Sequence, residues 1–332
     1  MEALSTGDIP EGPEWQYEPK WDGFRCIALR DGSSVEMQSK AGQPLARYFP
    51  EMVEALAAVP ARRFVLDGEI VVPLGKQLAF DELLMRIHPA ESRIRKLAQE
   101  HPALYLVFDL LVDDRGKALI EMPLAERRSR LEEFAHRCLE GSERIRLSPY
   151  TCDLRAARTW FRTMGGSLDG VIAKNRQSSY ESGERTGAFR KIKNLRTADC
   201  VVGGFRYASA GKVVGSLLLG LYDEAGLLHH VGFTSAIAKA DKKELTAKLE
   251  EIVEPPGFTG SAPGGPSRWS TERSAEWVPL APKLVAEVQY DHFSGGRFRH
   301  GTKLLRFRPD KAVRQCTMAQ VRQESKSPLA LL

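Results

Sequence analysis

Hydrophobic and polar positions follow two regimes along the 332 residues. In the first, Phe24 to Leu29 and Ser34 to Gln38 form short runs on either side of Asp31-Gly32, which predicts a hairpin. Between Phe49 and Val59, Met52, Val53, Leu56 and Ala57 recur at helical spacing behind Pro50, which predicts an amphipathic helix. Arg63 to Val72 reads as a buried strand, although Asp67 and Glu69 interrupt it. A basic helical stretch from Phe80 to Gln99 leads into a second buried strand, Leu104 to Leu111. A helix is expected from Leu124 to Leu139, with Leu124, Leu131, Phe134 and Ala135 on one face. Another ends across Thr159 to Met164, before Gly165-Gly166. Two more strands follow, Leu168 to Lys174 and Phe189 to Asn194. Alternation in the latter sets Lys191 and Lys193 on one face.

The pattern changes near Leu195 to Asp199. Beyond it lie short strands at Cys200 to Tyr207, Ser216 to Tyr222 and Leu227 to Thr234, then a charged helix from Ala238 to Val253. A Gly/Pro/Ser-rich loop, Pro255 to Ser270, precedes strands at Leu284 to Phe293 and Lys303 to Arg308. Five strands with a helix between the third and fourth is the order of an oligonucleotide-binding barrel. Two domains are therefore expected, 1–196 and 197–332, and a hydrophobic content of 42% can fill both cores.

Composition narrows the setting. No run of 18 apolar residues is present, and the first 15 residues are polar and acidic, so neither a membrane span nor a signal segment is expected and the cytoplasm is the default location. Cys26, Cys138, Cys152, Cys200 and Cys316 are widely separated, which argues against a zinc cluster or a disulfide framework. Net charge is +5, and between Arg297 and Arg314 seven Lys or Arg face the single acid Asp310, an electrostatic footprint suited to a polyanion or to a solvated basic face.

The carboxylates inside apolar strands change the picture most. Burying an ionised carboxylate is costly without a cation or hydrogen bonds, so Asp67, Glu69, Asp109 and Asp169 require partners. Candidates alternate with them along the chain: Lys20 and Arg25, Lys40, Lys174, Lys191 and Lys193, then Arg306, Arg308 and Lys311. Covalent nucleotide transfer needs such a set. An amine nucleophile must lose its proton, which neighbouring cations and desolvation favour. Carboxylates would hold a divalent metal, lysines would stabilise the transferred phosphate, and an aromatic would stack on the base.

The order of these groups resembles the covalent nucleotidyltransferase superfamily and, within it, the ATP-dependent DNA ligases. Lys20-Trp21-Asp22-Gly23 is similar to motif I, Ser39-Lys40-Ala41-Gly42 to motif Ia, and Leu66-Asp67-Gly68-Glu69 to motif III. Val107-Phe108-Asp109-Leu110-Leu111 resembles motif IIIa, Asp169-Gly170-Val171-Ile172-Ala173-Lys174 motif IV, Lys191-Ile192-Lys193 motif V, and Arg306-Phe307-Arg308-Pro309-Asp310-Lys311 motif VI. The resemblance implies an α+β fold: an adenylation domain of antiparallel sheets with flanking helices over 1–196, followed by an all-β OB-fold barrel domain over 197–332. It implies that Lys20 forms the lysyl-adenylate, that Glu18 reads the adenine amino group and that Phe108 stacks on the base. Arg25 and Lys40 would contact ribose or phosphate. Glu69 would hold ribose or metal and Asp169 metal, with Mg²⁺ or Mn²⁺ required. Lys191 and Lys193 would act on the α-phosphate, Lys174 would join the nucleotide site, and Arg308, Asp310 and Lys311 would assist adenylation. Motif IV usually carries Glu where this chain has the shorter Asp169, so a water can intervene between Asp169 and the metal.

The implied reaction consumes ATP and seals nicked duplex DNA, in repair and in concert with a separate repair polymerase or other repair proteins. Only 19 residues precede Lys20, which predicts a minimal two-domain form, and a monomer is expected. Arg86-Ile87-His88-Pro89-Ala90 and His230-Val231-Gly232-Phe233-Thr234 resemble bacterial ligase C and the ligase module of bacterial end-joining ligase D. An mRNA guanylyltransferase shares the Lys-x-Asp-Gly lysine, an RNA ligase shares the chemistry, and a non-enzymatic nucleic-acid-binding module would use the barrel alone. The last leaves the strand carboxylates without a role.

Overall fold

The computed structural model describes residues 1–164, 168–209, 211–238, 242–264, 276–322 and 326–332. Two compact units divide it: Met1–Asn194 with Glu324–Leu332, and Leu195–Gln323. The domain expected over 197–332 is thus shorter at its C-terminal end. The reason is apolar: Leu331 and Leu332 pack with Trp21, Val71, Leu106, Met164 and Leu168 of the first unit. Among the described residues no helix is long and apolar enough to cross a membrane.

Among the described residues the first unit holds two large sheets and a two-stranded hairpin. In chain order its elements are β1 (Glu2–Ser5), β2 (Trp15–Lys20), β3 (Phe24–Asp31), β4 (Ser34–Ser39), α1 (Pro50–Ala58), β5 (Arg63–Val71) and the small hairpin β6 (Pro73–Leu74) and β7 (Gln77–Leu78). Then come α2 (Phe80–Arg86), α3 (Glu91–Glu100), β8 (Leu104–Val112), α4 (Leu124–Cys138), β9 (Ile145–Leu147), α5 (Leu154–Thr163), β10 (Gly170–Asn175) and β11 (Arg185–Lys193). One sheet runs β4-β3-β5-β8-β9, the other β1-β11-β10-β2.

Side-chain alternation explains the second sheet. In β2, Trp15 and Tyr17 point to one face and Gln16, Glu18 and Lys20 to the other. Trp15 and Tyr17 join Val171, Ala173 and Ile192 in a cluster with Ala157, Leu154 and Phe161 of α5. Full burial of each large apolar side chain there contributes about 1.5–3 kcal/mol. The opposite face is left to polar groups. The first sheet is held by a larger core in which Met52 and Leu56 of α1 and Leu131 and Phe134 of α4 pack against Cys26, Phe64, Leu66 and Tyr105.

In this unit one sequence expectation changes and two unexpected strands are present. The helix expected over Phe80 to Gln99 is two, α2 and α3, because Pro89 disfavours helical backbone at His88, and the Ala90 N–H donates to His88 Nδ1 at 3.0 Å. Strand β1 has no apolar alternation; it forms by parallel pairing with β11. The short parallel strand β9, paired with β8, was also not anticipated. Gly165-Gly166 and the last part of the Pro255 to Ser270 loop lie outside the described residues.

The second unit contains β12 (Arg196–Tyr207), β13 (Val214–Tyr222), β14 (Leu228–Thr234), α6 (Lys242–Glu250), β15 (Val278–Pro279), β16 (Val285–Tyr290), the hairpin β17 (Phe293–Ser294) and β18 (Arg297–Phe298), and β19 (Lys303–Phe307). The helix expected from Ala238 begins at Lys242; Ile237 and Ala238 are not helical, and 239–241 lie outside the described residues. The antiparallel order is β14-β13-β12-β16-β19, with β15 added to β12. A bridge between Thr234 and Thr302 brings the two edges together. Val201, Phe205, Leu217, Leu219, Val231 and Val288 fill the interior, with Leu245 and Leu249 of α6 against it.

Candidate active site

The polar face of the second sheet is laid out in rows by strand register. Gly170 lies opposite both Lys20 and Lys193, and Ile172 lies opposite Glu18 and Lys191. Lys174 lies opposite Gln16 and Phe189. Side chains in register share a face, so the pairing collects Lys20 with Lys193, Glu18 with Lys191, and Lys174 with Phe189. Gly170 has φ +142°, and a Cβ there would meet the Ile192 carbonyl oxygen at 1.9 Å. Only glycine admits this close approach of the two strands between the flanking lysines.

The first sheet supplies the facing wall. Arg25 and Glu69 are register partners in β3 and β5. Phe108 arrives through a bulge: Asp67 pairs with Asp109 and Gly68 with Val107, so Phe108 has no residue opposite it. Such an insertion re-aims a side chain, and Phe108 here lines a cleft with Glu18, Lys20, Arg25, Lys40, Glu69, Lys174 and Lys191. Phe189, Ile172 and the segment Met1 to Ala3 line it too. Phe189 and β1 were not among the sequence candidates; the only available signal for Phe189 was its alternation with Lys191.

Lys20 Nζ donates to the Asp169 carboxylate. Burial lowers the Lys20 pKa, with help from Lys193 and Lys191 and against the opposing pull of Glu69 and Asp22. Burial likewise lowers Lys191, beside Lys40, Arg185 and Lys193. Glu69 behaves oppositely: enclosure pushes its carboxyl up to about 8, although Lys20 and Arg25 restrain it. Among the described residues no ion pair or hydrogen bond to the Glu69 side chain is present. A carboxylate in this position is suited to a hard cation, because Mg²⁺ typically takes one or two protein carboxylates and completes its shell with water and phosphate oxygens. Glu69 fits that requirement, and Asp169 would join it by exchanging its bond to Lys20 for the metal. No group of three or more ligating side chains occurs among the described residues.

Glu18 and Lys174 form a buried ion pair at 2.6 Å, with 3% and 4% of their side chains exposed. Gln16 Nε2 also donates to Glu18 at 3.0 Å. The Lys174 ammonium sits 4.3 Å from the Phe108 ring centroid and 5.2 Å from that of Phe189, a cation–π arrangement. Lys40 pairs with Glu2 at 3.1 Å. Arg185, on the other side of Glu2, and then Lys40 hold the Glu2 carboxyl down at about 2. Arg25 is gripped from behind by Asp67, whose side chain is fully buried. Asp67 and Asp109 are therefore structural carboxylates with arginine partners, Arg25 and Arg127, and do not face the cleft.

In the second unit, Asp199 organises the remaining candidates. Arg308 bonds Asp310 at 2.8 Å and Asp199 at 3.3 Å, and Lys311 pairs with Asp199 at 2.8 Å. Arg306 bonds Glu287 at 2.6 Å. Asp199 had no sequence signal beyond being an acid in an apolar strand.

Two sheets flanked by helices, with a desolvated lysine facing carboxylates, further lysines and an aromatic, define a covalent nucleotidyltransferase. Comparison with known proteins gives the particular family. Residues 7–193 match the ATP dependent DNA ligase domain, and residues 210–311 the ATP dependent DNA ligase C terminal region. DNA ligase C2 of Mycolicibacterium smegmatis is 41% identical over 97% of this chain and 93% of its own length. DNA ligase C of Mycobacterium tuberculosis is 41% identical over 97% of this chain and 92% of its own. A solved Lig E DNA ligase shares the fold, with TM-score 0.55 at 15% identity over 93% of this chain and all of that one. The chain belongs to the ATP-dependent DNA ligases.

Proposed function

We propose that this chain seals nicks in duplex DNA by three successive phosphoryl transfers, with Lys20 as nucleophile. The unprotonated Lys20 amine attacks the α-phosphorus of ATP, forming an N–P bond as the bond to pyrophosphate breaks. AMP next passes from Lys20 to the 5′-phosphate at the nick, breaking the N–P bond and forming a 5′–5′ pyrophosphate bond. The 3′-hydroxyl then attacks that 5′-phosphorus, loses its proton and expels AMP.

The cleft lining supports the roles of Glu18, Lys20, Arg25, Lys40, Glu69, Phe108, Lys174 and Lys191, and motif resemblance supports those of Arg308, Asp310 and Lys311. Burial and the lysines across Gly170 favour the neutral form of Lys20 at lower pH than an exposed lysine allows. Lys191 and Lys193 are positioned to stabilise charge on the α-phosphate. Glu18 accepts from the adenine amino group, while Lys174 and Phe108 bound the base. Arg25 and Lys40 contact ribose or phosphate. Mg²⁺ or Mn²⁺, held by Glu69 and Asp169, would neutralise phosphate charge and polarise the P–O bond. Arg308, Asp310 and Lys311 assist the first transfer. The substrate is nicked duplex DNA, the working form is a monomer, and the setting is repair alongside a separate polymerase.

One observation carries this reading: the Lys20 amine shares its sheet face with Glu18, Lys191 and Lys193, opposite Glu69. The test is labelling with ATP tagged at the α-phosphate. Wild type should carry the label on the protein and Lys20→Ala should carry none; a labelled Lys20→Ala protein would show that another group is the nucleophile. Replacing ATP with GTP separates this reading from a guanylyltransferase.

A further inference from the structure

Behind the cleft lies a polar network that the reaction does not use directly. Asp67 accepts from Arg25 Nε at 3.1 Å and from Arg25 Nη2 at 2.7 Å. Tyr180, which is 8% exposed, donates its hydroxyl to the same Asp67 oxygen at 2.8 Å. The Tyr180 oxygen in turn accepts from Arg25 Nη2 at 3.3 Å. A phenol has one proton, and here it is committed to Asp67. Burial, then the Asp67 charge, push the phenol pKa upward, so the hydroxyl remains a donor.

The count of donors on Arg25 is informative. A guanidinium has five N–H groups. Asp67 takes two, Tyr180 one, and the Met1 carbonyl a fourth from Nη1 at 2.5 Å. Among the described residues one N–H remains for a ligand in the cleft. Its direction is set by the plane of the guanidinium, and that plane is fixed by the three-cornered contact of Asp67, Tyr180 and Arg25.

Tyr180 is itself held. Its N–H donates to the Ile120 carbonyl at 2.7 Å, and the Arg127 guanidinium lies 5.7 Å from its ring centroid. Arg127 grips Asp109 through two bonds of 2.9 and 3.0 Å, and also donates to the Ser178 carbonyl at 3.1 Å. The segment between β10 and β11 is thereby tied to β8 and α4, and Tyr180 is delivered to Asp67.

We propose that Tyr180 is a positioning residue for nucleotide binding: its hydroxyl fixes the Arg25 guanidinium so that the one remaining N–H meets the ribose or phosphate of ATP. The inference rests on the ligase reading of the cleft. Tyr180 touches no reacting atom and acts only through Asp67 and Arg25. Tyr180→Phe keeps the ring and its packing while freeing Arg25 to rotate about its bonds to Asp67.

The experiment measures protein–AMP formation against ATP concentration for wild type, Tyr180→Phe, Arg25→Ala and the double variant. Tyr180→Phe should raise KM for ATP by about three- to tenfold, within the range for the net loss of one typical hydrogen bond, with kcat changed less than KM. In the Arg25→Ala background the same substitution should change nothing beyond about twofold, because the group it orients is gone. Asp67→Asn supplies a second perturbation of the same contact and should move KM in the same direction. An equal effect of Tyr180→Phe with and without Arg25, or no effect on KM, would overturn the positioning role while leaving adduct formation intact. Absence of any adduct in wild type would instead remove the ligase reading and the proposal together.

Discussion

Replacing Arg127 by Met tests the layer on which the cleft rests. The Arg127 side chain is fully buried and its carboxylate partner, Asp109, is 1% exposed. Arg127 makes the two bonds to Asp109 and donates to the carbonyls of Met122 at 2.6 Å and Ser178 at 3.1 Å. In Arg127→Met the apolar stem is kept, so the loss is mostly electrostatic. Among the described residues Asp109 would retain only the Leu110 N–H, at 3.0 Å. Orphaning a buried charge of this kind costs about 3–5 kcal/mol. For a unit of this size that is a drop in Tm of about 6–20 °C. The pH dependence has a definite sign. Burial already pushes the Asp109 carboxyl up, and Arg127 restrains it; without Arg127 the folded pKa rises further above the unfolded value. The native variant then holds more protons than the unfolded chain, so its stability falls as pH increases and its deficit is smallest in acid. Removing both partners in Arg127→Met/Asp109→Leu should recover much of the loss, since an apolar pair has no stranded charge. Calorimetry on the full chain between pH 5 and pH 8 is the assay. A melting point within about 2 °C of wild type at pH 8, on the same scaling, or a double variant less stable than the single, would refute the reasoning.

Other consequences concern the cleft and the second unit. Removing a neighbouring cation, as in Lys191→Met, should move the acid limb of single-turnover adduct formation to higher pH, because Lys191 helps lower the Lys20 pKa; an unmoved limb would contradict that coupling. Phe108→Ala should weaken ATP binding by about 1–3 kcal/mol, the usual range for one aromatic stacked on a base, read as KM in the same assay. Glu69→Gln should raise the Mg²⁺ or Mn²⁺ concentration needed for half-maximal adduct formation, and an unchanged metal requirement would exclude Glu69 as a ligand. In the second unit burial, assisted by Arg297 and Arg206, pushes His230 down to about 3. The unfolded chain therefore takes up the proton first, and stability should be lost as pH falls from about 6.5 towards 3. His230→Leu should flatten that slope in equilibrium denaturation; an unchanged slope would place the proton uptake elsewhere.

Much of this was legible in the sequence because strand alternation and motif order are local. Period-two alternation in Lys191-Ile192-Lys193 gave the shared face of the two lysines, and acids inside apolar runs announced buried partners. What remained hidden depends on pairing between distant segments. The bulge that turns Phe108 into the cleft exists only in the register of β5 against β8. The choice of partner is likewise tertiary: Asp67 and Asp109 looked equivalent to Glu69 as acids inside apolar strands, yet each is consumed by an arginine on another element. Tyr180 carries no motif that marks it, and its contact with Asp67 spans 113 positions of sequence. The split at Pro89 and the return of Leu331 and Leu332 to the first unit also lie beyond periodicity, since one is set by backbone sterics and the other by an apolar surface built from remote residues.

If Lys20 is the nucleophile, AMP held on it is an intermediate on the way to a sealed nick. Protein labelled from tagged ATP should be isolated free of nucleotide, then mixed with metal and a singly nicked duplex carrying a 5′-phosphate. Label should leave the protein, appear transiently on the DNA 5′-phosphate and end as free AMP while the nick closes in equal amount. Label that stays on the protein, or a nick that closes only when fresh ATP is supplied, would contradict it.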